Sequence, residues 1–275
     1  MVKTTKNQGV SDEKSKESPN ERLFSLLEII AKQDAPFTLQ ALVNQTGLPK
    51  PSLYRMLQQL EQSGLLQRDL NGRHYSTGQR LTRLAESVLL NSTTRGARHS
   101  ALRRLVDAAG ESCNLTAFSG GEVLYLDRVE TAAPLRFYLH PGSRVPAHCS
   151  ATGKLFLSEM TIAQRRLLWQ SGPLERFTEK TIVDIQGLEA EIKRVKQNGY
   201  ALDDEEFLPG LLCIGVLVPS QGPASNMGIA IQAPKIRFSK ERALQCLPML
   251  KDAALTISQL HLALPQTRES LDDER

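Results

Sequence analysis

The chain has 275 residues, 40% of them hydrophobic and 23% charged, with a net charge of +4. That length and balance suit two domains with buried cores and exclude both a disordered chain and a polybasic nucleic-acid coat. No run of about eighteen apolar residues occurs, and Lys3 and Lys6 have no apolar stretch behind them, so neither a membrane span nor an export signal is read.

The charge is unevenly placed. Residues 1–100 hold 14 Lys and Arg against 9 Asp and Glu, whereas the remainder holds 20 against 21. Cys113, Cys149, Cys213 and Cys246 are widely spaced, without a Cys-x-x-Cys pair or a His at zinc spacing. Neither a metal site, a cofactor nor a disulfide framework is therefore expected, and a reducing cytoplasm is the expected location.

Residues 1–19 are rich in Lys, Ser, Glu, Asn and Thr and read as a disordered tail, as do residues 265–275. Residues 20–78 read as a DNA-binding domain. Leu23, Leu26, Leu27 and Ile30 repeat at helical spacing in a supporting helix. Thr38 is an N-cap for a second helix with Leu39, Leu42 and Val43 on one face, and Gly47 supplies the turn. A third helix follows Pro49-Lys50, with Pro51 near its start and Leu53, Met56, Leu57 and Leu60 as its inner stripe. Two helices about a glycine, taken alone, more often make an ordinary helical hairpin than a DNA reader. Here a hairpin follows, with Asn71-Gly72 as a tight turn and Arg68 and Arg73 as a basic wing, so the order is that of a winged helix-turn-helix. Lys50, Ser52, Tyr54, Arg55 and Gln58 on the outer face, with Arg73 on the wing, are the expected DNA contacts. Arg pairs two guanine acceptors, Gln pairs adenine, and the others hold phosphates.

Residues 79–94 form an expected linker helix whose stripe of Leu81, Leu84, Val88 and Leu89 wants a partner, either its own domain or a second copy. Residues 95–264 then alternate. A helix near Leu102 to Ala109 precedes strand-like runs at 115–118, 123–129 and 135–139. Helices are expected at 151–160, 162–170 and 188–198, strands at 213–218 and 227–232, and a last helix at 241–260. This order predicts an α+β domain with an antiparallel sheet flanked by helices.

Within it, residues 150–154 read as an anion-binding helix start, with Ser150 as cap and Gly153 permitting close approach; the plainer reading is that Ser150 only caps its own helix. Asp203 to Glu206 is a run of four carboxylates that ordinarily marks a solvated loop. Cys213 opens an apolar strand and is by default buried and inert.

Several runs together resemble the IclR family of bacterial transcriptional regulators. They are Leu-Pro-Lys-Pro-Ser-Leu-Tyr-Arg-Met-Leu in the third helix, Gly-Ser-Arg-Val-Pro-Ala-His at 142–148, Ala-Thr-Gly-Lys at 151–154, Phe-Thr-Glu-Lys-Thr-Ile at 177–182, Gly-Tyr-Ala-Leu-Asp-Asp-Glu-Glu at 199–206 and Pro-Gly-Leu-Leu-Cys-Ile at 209–214. The resemblance implies a winged helix-turn-helix, a dimerising linker helix and an effector domain similar to GAF and profilin-like sensors. It also implies binding of operator DNA as a homodimer or homotetramer, with RNA polymerase as a further partner, and a small organic acid as effector controlling a catabolic or transport operon.

Carried onto this sequence, the resemblance assigns the effector's carboxylate to the backbone of Ala151 and Thr152, and adds Asp203 and Cys213 to the pocket. Where family members that bind small hydroxy or keto acids carry serines, this chain has Ala230 and Gln232. With Phe137 as an apolar wall on a strand shared with Leu135 and Leu139, the expected effector is a larger, aromatic acid. Pro51 replaces a common family Ser, which leaves its phosphate contact to Ser52. No catalytic residue is expected; the alternative is an enzyme fused to a DNA-binding module, with Cys213 as nucleophile and His148 as base. A third reading is an architectural DNA binder without a ligand.

Overall fold

A computed structural model describes residues 18–33, 35–69, 71–91, 95–170, 172–220 and 225–262. The expected tails thus lie almost wholly outside the described residues. The chain divides into two compact units, Met1–Arg83 and Leu84–Arg275.

The first unit holds α1 (Pro19–Ala31), α2 (Leu39–Thr46), α3 (Lys50–Gln62) and a ribbon of β1 (Leu66–Arg68) and β2 (Tyr75–Thr77). Helix α1 starts a residue before the expected Asn20, where Ser18 and Glu21 form a reciprocal capping box around Pro19. Thr38 caps α2 by accepting from the Ala41 N–H, and Gly47 ends it at φ 66°, a left-handed conformation that costs glycine little. Leu53, Leu57 and Leu60 of α3 bury against Leu26, Ile30, Leu42 and Leu66, with Phe37 stacked on Tyr75. The hairpin differs from the expected two-residue turn. Its strands are joined by residues 69–74, and Asp69 Oδ1 closes the loop by accepting from the N–H groups of Arg73 and His74. Among the described residues of this loop only Gly72 has positive φ, so the left-handed pair of a type I′ turn is not formed.

Helix α4 (Gln79–Leu90) starts where the linker helix is expected, and its last expected residues, 92–94, lie outside the described residues; it has no buried residue, and Leu84 and Val88 are 56% and 61% exposed. Leu89 and Leu90 pack on the core of the second unit. That unit continues with α5 (Arg95–Ala109), β3 (Ser112–Ser119), β4 (Glu122–Val129), β5 (Arg144–Pro146), a 3-10 turn (Ala147–Cys149), α6 (Ala151–Glu159), α7 (Ile162–Trp169), α8 (Ile185–Asn198), β6 (Ala201–Asp204), β7 (Leu211–Leu217), β8 (Met227–Pro234), α9 (Lys240–Gln245) and α10 (Leu247–Leu262). The strands form one antiparallel sheet in the order β5-β4-β3-β8-β7-β6. The fold class is the expected α+β.

On one face, Leu115, Ile214, Ile229 and Ile231 pack under Leu102, Leu105, Leu250 and Ile257 from α5 and α10. On the other face lie α6 and α8, with Phe156, Leu157, Leu188 and Ile192 against Val123, Tyr125 and Val145. Helix α6 presses close to the sheet because Gly215 and Gly228 lack side chains: a Cβ there would stand 3.1 and 2.9 Å from the Thr152 methyl. Residues 135–139 do not form a strand; the segment is irregular, Leu135 and Tyr138 are exposed, and β5 takes the edge position instead. The expected C-terminal helix is split at Cys246, since Pro248 in the first turn of α10 has no N–H to continue α9. Among the described residues no helix is long and apolar enough to cross a membrane.

Candidate DNA-reading face and effector pocket

Burying Leu53, Leu57 and Leu60 turns the opposite side of α3 to solvent. Lys50, Tyr54 and Arg55 are exposed, and Ser52 and Gln58 are half-buried beside them. Gln58 Nε2 donates to Tyr54 Oη at 3.1 Å, so these two side chains present a joined surface. Arg73 is exposed on the ribbon, but Arg68 is not free to act as its twin. Its Nε is 3.0 Å from Glu61 Oε2, and its guanidinium lies over the Tyr75 ring at 4.7 Å. Arg68 thereby fastens β1 to α3, leaving Arg73 as the wing's available cation.

In the second unit, strand register assembles the pocket. Asp203, Cys213 and Gln232 are register partners across β6, β7 and β8; Gly215, Ala230, Asn114 and Arg128 form the neighbouring row on the same face. Over these rows stands the start of α6. The result is a cavity of about 20 Å³ lined by Asn114, Tyr125, Ala151, Thr152, Asp203 and Phe207, with Cys213, Ala230 and Gln232 also in its wall. Six of the seven expected effector residues therefore meet. The seventh, Phe137, packs beside them against Ala151, Leu211 and Cys213, from an irregular segment instead of the expected strand.

The helix start is built differently from the expected cap. Ser150 occupies the N-cap position in extended backbone, but its hydroxyl donates to the Pro146 carbonyl at 3.0 Å and gives α6 no side-chain cap. The plain capping role is thus excluded. Gly153 serves packing of the chain on itself: a Cβ there would fall 2.3 Å from the Ala147 carbonyl oxygen and 2.4 Å from Ser150 Oγ. The helix start remains a place where backbone N–H groups and the helix dipole favour an anion.

The carboxylate run is not a solvated loop. Asp203 is buried, and its Oδ1 accepts from the N–H groups of Glu206 (2.8 Å) and Phe207 (3.3 Å). Burial, and next the neighbouring Glu206 carboxylate, push its pKa up to about 7. Asp204 pairs with Lys235 and Lys240, and Glu205 with Lys180 and Lys235. Glu205 holds a left-handed φ of 64°, the only non-glycine to do so among the described residues. Glu206 meets Lys154 Nζ at 2.5 Å; that lysine is 0% exposed and also lies 3.3 Å from Glu191. Thr181 Oγ1 and Thr178 Oγ1 donate to the carbonyls of Glu206 and Glu205, both at 2.7 Å, so the 177–182 run closes over this turn.

Cys213 is a buried thiol. Burial, and then the adjacent Asp203 carboxylate, drive its pKa well above the ordinary range. His148 makes a hydrogen bond through Nε2 to the Glu175 carbonyl at 2.9 Å, and burial lowers its pKa. Neither element of a thiolate–imidazole pair is present, which removes the physical basis of the enzymatic alternative.

Sequence reasoning missed Asn114, Tyr125, Phe207 and above all Arg128. Arg128 is buried, with Nη1 donating to Gln232 Oε1 and Nη2 to the Phe137 carbonyl. Strict alternation would set Arg128 opposite to Tyr125. A β-bulge puts both on the pocket face: Leu115 pairs with Asp127, yet Thr116 pairs with Tyr125, so Leu126 is skipped. The available signal was the charged pair Asp127-Arg128 inside an otherwise apolar run.

Comparison with known proteins agrees with both units. Residues 21–70 match the IclR helix-turn-helix domain, and residues 87–259 match the bacterial transcriptional regulator IclR C-terminal domain. A probable transcriptional regulator, SauR, of Cupriavidus necator is 41% identical over 85% of this chain and 92% of its own length. The transcriptional repressor IclR of Escherichia coli is 27% identical over 86% and 87%. The crystal structure of the Agobacterium tumefaciens repressor BlcR superposes with a TM-score of 0.55 at 27% identity, covering 88% of this chain and 96% of that one. These relatives are regulators and not enzymes, and the winged ribbon, the helix-turn-helix and the sheet are those of their fold. The chain belongs to the IclR family of bacterial transcriptional regulators.

Proposed function

We propose that a small organic acid, bound in the cavity between the α6 start and the β6-β7-β8 face, controls the operator binding of this regulator. The observation that carries the reading is the convergence of Ala151, Thr152, Asp203, Cys213, Ala230 and Gln232 on one cavity from four separate elements. The ligand's carboxylate takes the α6 N–H groups, and Asp203, with its pKa near 7, exchanges a proton with a ligand hydroxyl or a water. A cavity of about 20 Å³ holds one water, so ligand entry displaces the side chains of Phe137 and Phe207.

Two phenylalanines and the small Ala230 favour an aromatic acid over a compact keto acid, and a catabolic or transport operon is the natural target of such a sensor. In the DNA unit, Lys50, Ser52, Tyr54, Arg55 and Gln58 contact the operator with Arg73 on the wing. The domain limits are those set out from the sequence, with the cytoplasm as the site of action. The exposed stripe of Leu84 and Val88 pairs two copies as a homodimer or homotetramer, and RNA polymerase is a further partner. Thermal shift of the full chain tests the ligand class. Stabilisation by benzoate that is lost in Asp203→Ala supports it; stabilisation by glyoxylate or pyruvate and by no aromatic acid sinks the aromatic reading.

A further inference from the structure

Gln232 is an uncommon residue in a wall that also holds Val123, Val145, Leu211 and Phe207. It is 2% exposed, and only its amide oxygen has a partner. That partner fixes which way round the amide stands. A guanidinium carries only donors, so Gln232 must turn Oε1 toward Arg128, and Nε2 is left without an acceptor among the described residues.

Arg128 is itself underpaired. Its Nε has no hydrogen-bond acceptor among the described residues, and its one recorded ion pair there is a 3.7 Å approach to Glu130, a carboxylate 31% exposed. A buried cation and a buried unpaired amide both carry a desolvation cost. An oxyanion against Gln232 Nε2 relieves both together, since it accepts the free N–H and stands in the field of the guanidinium behind it.

This donor group is separate from the α6 start. Thr152 sits over both Gly228 and Gly215, the latter pairing with Ala230 two residues before Gln232 on β8, which is about 7 Å along the strand. Ala230 lies between them with a side chain too small to obstruct.

We propose that Gln232, oriented and charged from behind by Arg128, is a second oxyanion subsite, and that the effector is a diacid with one carboxylate at the α6 start and the other on Gln232 Nε2. The proposal rests on the effector reading above and narrows it to a ligand class. Arg128 is a positioning residue that acts through Gln232.

The test is calorimetric titration of the full-length protein with matched acids, butyrate against succinate and benzoate against terephthalate. At least one diacid is expected to bind about tenfold or more tightly than its monoacid partner. Gln232→Glu pairs with Arg128 but offers no donor, so it should bring the diacid-to-monoacid ratio below one while monoacid binding persists. Gln232→Met, which keeps volume and removes the amide, should bring the ratio to near one; a loss of packing alone would lower both acids together and leave the ratio unchanged. If monoacids bind and neither diacid binds better, or if Gln232→Glu keeps the preference, the second subsite is overturned and the effector reading stands. If none of the four acids binds, both fall.

Discussion

The two units use charge in opposite ways. In the DNA-binding unit Lys50, Arg55 and Arg73 stand in solvent on a scaffold whose core is almost wholly apolar. In the effector unit Lys154, Arg128, Asp203 and Glu206 are buried: Lys154 holds Glu206, Asp203 accepts from the Glu206 N–H, and Arg128 holds Gln232. Exposed cations cost little to fold and keep their charge for a polyanion. Buried ones are expensive, and are retained where they fix the shape of a cavity and the protonation of its wall. In the first unit the proposed contacts are thus separate from the core, whereas in the second the proposed pocket residues Asp203 and Gln232 are part of it.

Substitutions can break this contrast. The largest effect is expected at Lys154→Met, which strands the buried Glu206 without its cation, while Glu191 keeps Arg194, and should cost about 3–5 kcal/mol in urea unfolding of the effector unit. A loss of less than about 1 kcal/mol would show that the pair is dispensable.

A second measurement concerns Asp203. Its folded pKa, about 7, is above the ordinary carboxylate value, so its contribution to stability is fully present below about pH 4 and is lost as pH rises toward 7. The urea midpoint should fall across that window relative to Asp203→Asn, whose Oδ1 still accepts the Glu206 and Phe207 N–H groups. Parallel pH profiles for the two proteins would contradict the buried-acid assignment.

In the other unit, Arg55→Ala should weaken operator binding by about 1–3 kcal/mol and relax sequence preference. Its unfolding midpoint should move by no more than about 0.5 kcal/mol of stability. The smallest effect is expected at Arg73→Ala: a uniform weakening with a salt slope reduced by about one. A destabilised Arg55 variant would erase the proposed division between the units.

The same division explains what the sequence makes legible. The outer face of α3 follows from helical spacing in one short segment, so Leu53, Leu57 and Leu60 locate Lys50, Tyr54 and Arg55 directly. Arg68 escapes that logic because its role depends on Glu61 and Tyr75, which only the folded ribbon brings near. In the effector unit, the family motifs point to Ala151, Thr152, Asp203 and Cys213, but not to what lies between them. Register across β3, β8 and β7 and one skipped residue at Leu126 decide that Asn114, Tyr125 and Arg128 join the site. The pairing of β3 with β8 spans more than a hundred residues, and a skipped residue leaves no regular local period to read. The misread segment at 135–139 shows the converse: alternating Leu135, Phe137 and Leu139 have strand periodicity, yet β5 occupies the edge next to β4.

The account's central claim is that an acid in the effector cavity changes operator affinity. Fluorescence anisotropy with a labelled duplex from the intergenic region beside the protein's own gene measures this directly, with benzoate, terephthalate, butyrate and succinate as ligands. The account predicts that at least one acid shifts the dissociation constant by about tenfold for the wild type and leaves Asp203→Ala unchanged. Equal affinity with and without every acid, or a full response in Asp203→Ala, would contradict it.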